Sequence, residues 1–216
     1  MRQLVIKINH HCRDLWHFEC ACPRCLDVTE LGTCLAGVTC TACQLTMLPR
    51  DAADISAPYA CPGCGKEVNS DTVAVMARAV EEQIKMLRDP GEIETLIDKL
   101  GTNHHPNNYL IMELKQKFVD LTMENNGSSK SKETLEKVVD FIRDIIKVNN
   151  KIEPGLTVTL GTNLRLLNTA MLSLAKMKME AGDIDKKEFM MTAMVAKQNI
   201  NLAKRCLEDT DFENWK

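Results

Sequence analysis

The chain has no apolar run of the eighteen or more residues that a membrane span needs, and no basic, apolar leader at its start. We therefore expect a reducing cytosolic or nuclear setting and no membrane partner. An excess of positive charge is missing too: 27 Lys and Arg against 30 Asp and Glu give a net charge of −3 and a pI near 6.0. Residues 1–66 carry six basic and six acidic side chains, so this front segment is itself neutral. Direct binding to nucleic acid, which wants a basic face, is not expected. Nor is there a glycine-rich phosphate loop, a nucleophile elbow or a metal motif with an evident open position. Cysteine is absent from residue 65 to residue 205.

The cysteines are therefore crowded: nine of the ten lie within residues 1–64. Cys40 and Cys43 are two residues apart, as are Cys61 and Cys64, with seventeen residues between the pairs. In a reducing compartment such knuckles supply thiolates to a metal, and four thiolates at about 2.3 Å satisfy tetrahedral zinc. Pro62-Gly63, with Gly65 just beyond, suits the tight turn that aims both sulfurs at one ion. A second cluster, Cys20, Cys22 and Cys25, offers only three ligands. A fourth would come from Cys12, Cys34, His10, His11 or His17. Cys12 is the chemical favourite, since seven residues separate it from Cys20, enough to loop round an ion. We expect two zinc ions and a folded zinc module over residues 1–66, ordered by ligation more than by apolar burial.

Beyond Gly65 glycine and proline thin out and apolar residues recur at helical spacing. Val73, Val75, Met76, Val80, Ile84 and Leu87 form one stripe, entered through Ser70 or Asp71 and closed by Pro90-Gly91. Further helices are expected over residues 93–100, 107–123 and 135–148, then from beyond Pro154-Gly155 to Gly182, and over residues 186–207. Asn125 to Ser129 reads as a flexible connector. None of this reads as strand. The fold class expected is mainly α, with a small zinc module followed over residues 67–216 by an array of antiparallel helical hairpins of tetratricopeptide type, without a strict repeat consensus. The twelve methionines suit adaptable packing in such a bundle. His104-His105 beside Pro106 is expected to be solvated at a helix entrance.

The run Trp16-His17-Phe18-Glu19-Cys20-Ala21-Cys22-Pro23-Arg24-Cys25-Leu26-Asp27, continuing through Thr29-Glu30-Leu31-Gly32-Thr33, resembles the post-SET zinc segment of the SMYD protein-lysine methyltransferases. With the second pair of knuckles, it resembles their arthropod branch in particular. His105-Pro106-Asn107 and Ile152-Glu153-Pro154-Gly155 are similar to landmarks of that family's C-terminal helical domain, so the likeness runs from about Trp16 onward. It implies S-adenosylmethionine as methyl donor and a lysine-bearing protein as substrate. Phe18, two residues before the first zinc cysteine, would touch the donor's adenine; packing against the knuckle is its structural alternative. The SET core, the MYND finger and the channel tyrosine of that family have no counterpart here. Asn9-His10-His11-Cys12 only partly matches an Asn-His-Ser-Cys motif whose cysteine is the fourth post-SET ligand. The resemblance thus implies the C-terminal part of a methyltransferase, inactive by itself without a SET core. The alternative is a free-standing zinc-stabilised adaptor that binds a peptide or protein.

Overall fold

The computed structural model describes residue 17, residues 20–124 and residues 130–207. Cys12, His10, His11, Phe18 and the 125–129 connector lie outside the described residues. Four short strands come first: β1 (Val38–Thr39), β2 (Thr46–Pro49), β3 (Tyr59–Ala60) and β4 (Glu67–Val68), paired antiparallel in chain order. Six helices follow: α1 (Ser70–Met86), α2 (Pro90–Gly101), α3 (Tyr109–Glu124), α4 (Lys132–Ile152), α5 (Val158–Ala181) and α6 (Lys186–Leu207). The chain is thus mainly helical with a small strand region beside the cysteines. No helix among the described residues is long and apolar enough to cross a membrane.

The helix boundaries follow local chemistry. Asn69, one residue before the expected caps, accepts the Asp71 N–H and starts α1. Pro90-Gly91 does not close α1. Pro90 takes the first turn of α2, where its missing N–H costs nothing, and Asp89 caps that helix through the Glu92 N–H. Ser131 and Thr157 cap α4 and α5, and Gly182, at φ 79°, ends α5 in the left-handed conformation that favours glycine. The stripe expected on α1 is only half realised, because Ile84 is buried while Val75 and Met76 are 60% and 55% exposed. One helical turn accommodates the apolar contact of Val73 with the sheet, and residues 75 and 76 then fall on the solvent side.

The two compact units divide between Leu114 and Lys115, not at residue 66. The change at residue 66 marks where cysteines give way to helices, but backbone bonding carries the first unit well past it. His105 N–H donates to the Gly37 carbonyl at 3.1 Å, Thr39 N–H to Asn103, and Tyr109 N–H to Leu35. The Asn108 side chain adds a 2.8 Å bond to the same Gly37 carbonyl. Such backbone pairs satisfy groups that would otherwise be stranded. Gly37 has no room for a side chain: a Cβ would lie 2.8–2.9 Å from Thr46, Cys34 and His105.

In the second unit α4, α5 and α6 pack on one another in chain order through short connections. Leu135, Val138, Val139, Ile142, Ile145, Val148 and Ile152 form the buried face of α4. A cluster of Leu160, Leu164, Ala203, Cys206 and Leu207 joins α5 to α6. Gly161 permits that approach, since a Cβ there would sit 2.7 Å from Leu207 and 2.8 Å from Cys206. Lys178 and Glu136 pair at 2.7 Å across α4 and α5.

Candidate metal centres

Each Cys-x2-Cys pair with its flanks folds as the tip of a β-hairpin. In the first, the Cys40 N–H donates to Leu45 and the Gln44 N–H to Cys40, at 2.8 and 2.9 Å. In the second, the Cys61 N–H donates to Lys66 and the Gly65 N–H to Cys61, at 2.9 and 3.1 Å. The strand pairs that close the two tips, Thr39 with Thr46 and Ala60 with Glu67, have the same spacing. The module is therefore one knuckle built twice, joined by pairing of β2 with β3. Glycine supplies the left-handed residue of the second knuckle, Gly65 at φ 71°, whereas the first places Gln44 there at φ 63°. A side chain in that region costs about 1–2 kcal/mol, part of which glycine's looser unfolded chain takes back. Gln44→Gly is thus expected to stabilise the metal-loaded protein by roughly 0.5–1 kcal/mol in urea unfolding, and Gly65→Gln to destabilise it by a similar amount.

The tips bring all four sulfurs together. Cys40 Sγ lies 3.6 Å from Cys64 Sγ, Cys43 Sγ lies 3.2 Å from Cys61 Sγ, and all four sulfurs fall within 4.8 Å of one another. A tetrahedron of sulfurs at about 2.3 Å from zinc has edges of about 3.8 Å, so this cage fits the ion. A Cβ on Gly63 would run into Leu45 of the opposite tip, which accounts for the Pro-Gly pair between Cys61 and Cys64. Cys40 and Cys61 are buried, Cys43 and Cys64 exposed, so one ligand of each knuckle faces inward.

Backbone N–H groups prepare the inner pair as thiolates. The Cys64 N–H, with the Gly63 N–H and the Cys43 thiol assisting against burial, lowers the Cys61 thiol to about 6. The Ala42 and Cys43 N–H groups hold Cys40 below its ordinary value. Cys43 receives similar help from the Leu45 N–H, yet Cys61 beside it, burial and Cys64 push it up to about 12. Four thiols this close cannot all ionise unaided, and a dication is what relieves the crowding.

Cys20, Cys22 and Cys25 also converge within 4.8 Å. Hydrogen bonding from the Cys25 N–H, then from the Cys20 and Cys25 side chains, brings Cys22 down to about 7, whereas burial and its two neighbours raise Cys25 to about 12. Among the described residues no fourth His, Cys, Asp or Glu completes this cluster, so Cys34 and His17 are not brought into it. Cys12, the remaining favourite, and Phe18, on which the methyl-donor expectation rests, lie outside the described residues. After the triplet, the Asp27 carboxylate accepts from the Thr29 N–H and hydroxyl and from the Leu31 N–H. The Thr29 hydroxyl keeps that carboxyl below its usual range. This clamp holds Glu30, Leu31 and Gly32 in successive left-handed conformations, at φ 49°, 62° and 71°.

His104 departs from expectation. It is buried, 8% exposed, and its Nδ1 lies 3.3 Å from the Leu100 carbonyl. Burial, against the pull of that carbonyl, holds its pKa below the ordinary value. His105 is half-buried and accepts the Asn107 N–H through Nδ1. Their burial follows from the docking of residues 103–109 on residues 35–39, a long-range pairing that no local pattern announces.

No protein-family model matches the chain, and no curated protein matches it. Two cysteine clusters that could bind zinc are what the geometry itself provides.

Proposed function

We propose that the chain is a zinc-organised, mainly helical module that serves as the C-terminal part of a SMYD-type protein-lysine methyltransferase and transfers no methyl group by itself. Cys40, Cys43, Cys61 and Cys64 would hold one structural zinc ion; Cys20, Cys22 and Cys25 would hold a second with a ligand from elsewhere. The observation that carries this reading is the contrast between the two clusters. One is a closed tetrahedral set, and the other is three-quarters of a set in a segment resembling a post-SET motif. A closed site offers no open position for substrate, which supports a structural role for its metal. The helices α4, α5 and α6, packed in order, would form part of a tetratricopeptide-like array.

Titrating the purified, zinc-loaded chain with S-adenosylmethionine tests this. No binding heat is expected from the chain alone, and methyl transfer to a lysine substrate is expected only after mixing with a SMYD-type SET core lacking its own post-SET segment. Tight donor binding by the isolated chain would overturn the statement that it is inactive by itself, and a mixture without transfer would remove the methyltransferase reading. The second reading, a free-standing adaptor, is favoured by Met190, Met191 and Met194, which α6 leaves 53%, 59% and 63% exposed. Methionine-rich surfaces suit adaptable protein contacts. Such a partner would be a protein or peptide.

Loading of the four-cysteine site should depend on pH in a definite sense. Zinc takes thiolates and displaces protons, so apparent affinity rises with pH. Cys61, lowered to about 6, is the last of the shifted ligands of this site to be protonated as pH falls. Zinc release to a colorimetric chelator is accordingly expected to steepen as pH drops through about 6. Release independent of pH between 5 and 8, roughly the range over which thiols of this kind titrate, would count against thiolate ligation.

A further inference from the structure

A cleft of about 400 Å³ opens in the first unit where the start of α1 leaves the sheet uncovered. Ala74 and Ala77, three residues apart on α1, line one side, and Ala36, Val38 and the buried Tyr59 line the other. The lining is mainly apolar. Ile55 stands at the cleft 61% exposed, a large apolar side chain without cover. The short side chains leave a slot that a helix packing on a sheet would normally fill.

One polar group inside decides what the slot can take. His104 lines it and is 8% exposed. A carbonyl oxygen can only accept, so the hydrogen between His104 and the Leu100 carbonyl sits on Nδ1. In the neutral ring Nε2 is then a bare acceptor, and no described donor of the protein reaches it. Burial disfavours the imidazolium that would turn this atom into a donor. A buried acceptor without a partner is a standing preference for a ligand that brings a hydrogen. The polar residues Asp71, Arg78 and Glu81 also line the cleft, and Glu81 is already engaged by the Tyr109 hydroxyl at 2.8 Å.

We propose that this cleft is a binding site for an aromatic ring carrying one N–H donor, of the indole class, with the ring between α1 and the sheet and its N–H donated to His104 Nε2. The aliphatic walls match the ring, and the single inward acceptor matches the single donor. Pockets of this kind, apolar with one or two convergent polar groups, take their specificity from the polar contact. A free indole compound and a tryptophan side chain on a peptide share this chemistry.

The test uses the full, zinc-loaded chain and indole itself, followed by amide and methyl resonances. Indole is expected to shift the resonances of Ala36, Val38, Ala74 and Ala77. 1-Methylindole, the same ring without the donor, is expected to bind roughly ten-fold more weakly, the loss a hydrogen bond to a buried acceptor commands. His104→Leu should abolish that difference, and Ala77→Leu, which fills the slot, should abolish binding of both rings. N-acetyltryptophanamide, with peptide bonds on both sides, separates the sources: binding at least as tight as indole assigns a peptide, and exclusion assigns a free small molecule. Equal affinity for indole and 1-methylindole would overturn the proposal, as it would if water alone satisfied His104, and so would shifts confined to other residues or no shifts at millimolar indole. Because the two rings are compared on the unsubstituted protein, the result stands even where His104→Leu fails to fold.

Discussion

Stripping the metal from the purified chain is expected to abolish hydrogen-exchange protection throughout the four-stranded sheet. The reason is visible in its core. The buried cluster at the centre of the sheet is Cys40, Met47, Tyr59 and Cys61, with Val38, Val68 and Val73 packed around it. Two of its four members are therefore metal ligands, and three of the four strands are two residues long. So small a core cannot offset the cost of ordering the loops that surround it. Structural zinc in comparable modules contributes about 10–16 kcal/mol of apparent binding free energy at neutral pH, which is folding free energy when the apo segment has no other support. The loss should extend into α1 and α2, because Val73 packs on the sheet and residues 103–109 are bonded to residues 35–39. Helices α4, α5 and α6 should keep their circular dichroism signal. Cys61→Ser is expected to reproduce the effect without chelator. Exchange and dichroism indifferent to chelation would show that the cysteines hold this unit together by packing alone.

Phe118→Ala is expected to cost the second unit about 3–5 kcal/mol, the usual range for emptying a fully buried aromatic site. Phe118 is 0% exposed and meets Phe141 edge to face, with ring centroids 5.2 Å apart. Such pairs contribute about 0.5–1.5 kcal/mol beyond the area they bury. Phe141 in turn lies 5.5 Å beneath the ammonium of Lys115, which pairs with Asp144 at 2.6 Å. Removing the Phe118 ring therefore leaves a cavity and also loosens the partner of a nearly buried cation. In a unit of this size each kcal/mol shifts the melting temperature by about 4–8 °C, so a fall of well over 10 °C is expected in calorimetry. Phe118→Leu, which keeps most of the volume, should lose less than half as much. A melting temperature within about 3 °C of the unsubstituted protein would mean that α3 and α4 are not packed through this pair.

The spacing of the cysteines and the helical periodicity each carried their information locally, which is why the tetrathiolate set and the six helices could be read before folding. Leu135, Val138, Val139, Ile142 and Ile145 recur at the helical period and are buried together on α4. Pro90 shows the limit of local reading: the same residue can end one helix or begin the next, and the Asp89 cap decides for the second. The duplicated knuckle was hidden because Gln44 stands where Gly65 does, so the two turns share a conformation without sharing a residue. The burial of His104 and the tightness at Gly37 arise from pairing between segments some sixty-five residues apart, and nothing in either segment alone signals it. The same long-range pairing places the division of the units at Leu114, well beyond the change in composition at residue 66.

The central claim is that Cys40, Cys43, Cys61 and Cys64 form a complete site for one zinc ion. Zinc-edge X-ray absorption on a variant with Cys20, Cys22 and Cys25 all replaced by serine tests it most directly. One zinc per chain, with four sulfurs at about 2.3 Å and no nitrogen or oxygen neighbour, is the predicted result. A variant that retains no zinc, or a first shell containing nitrogen or oxygen, would contradict it.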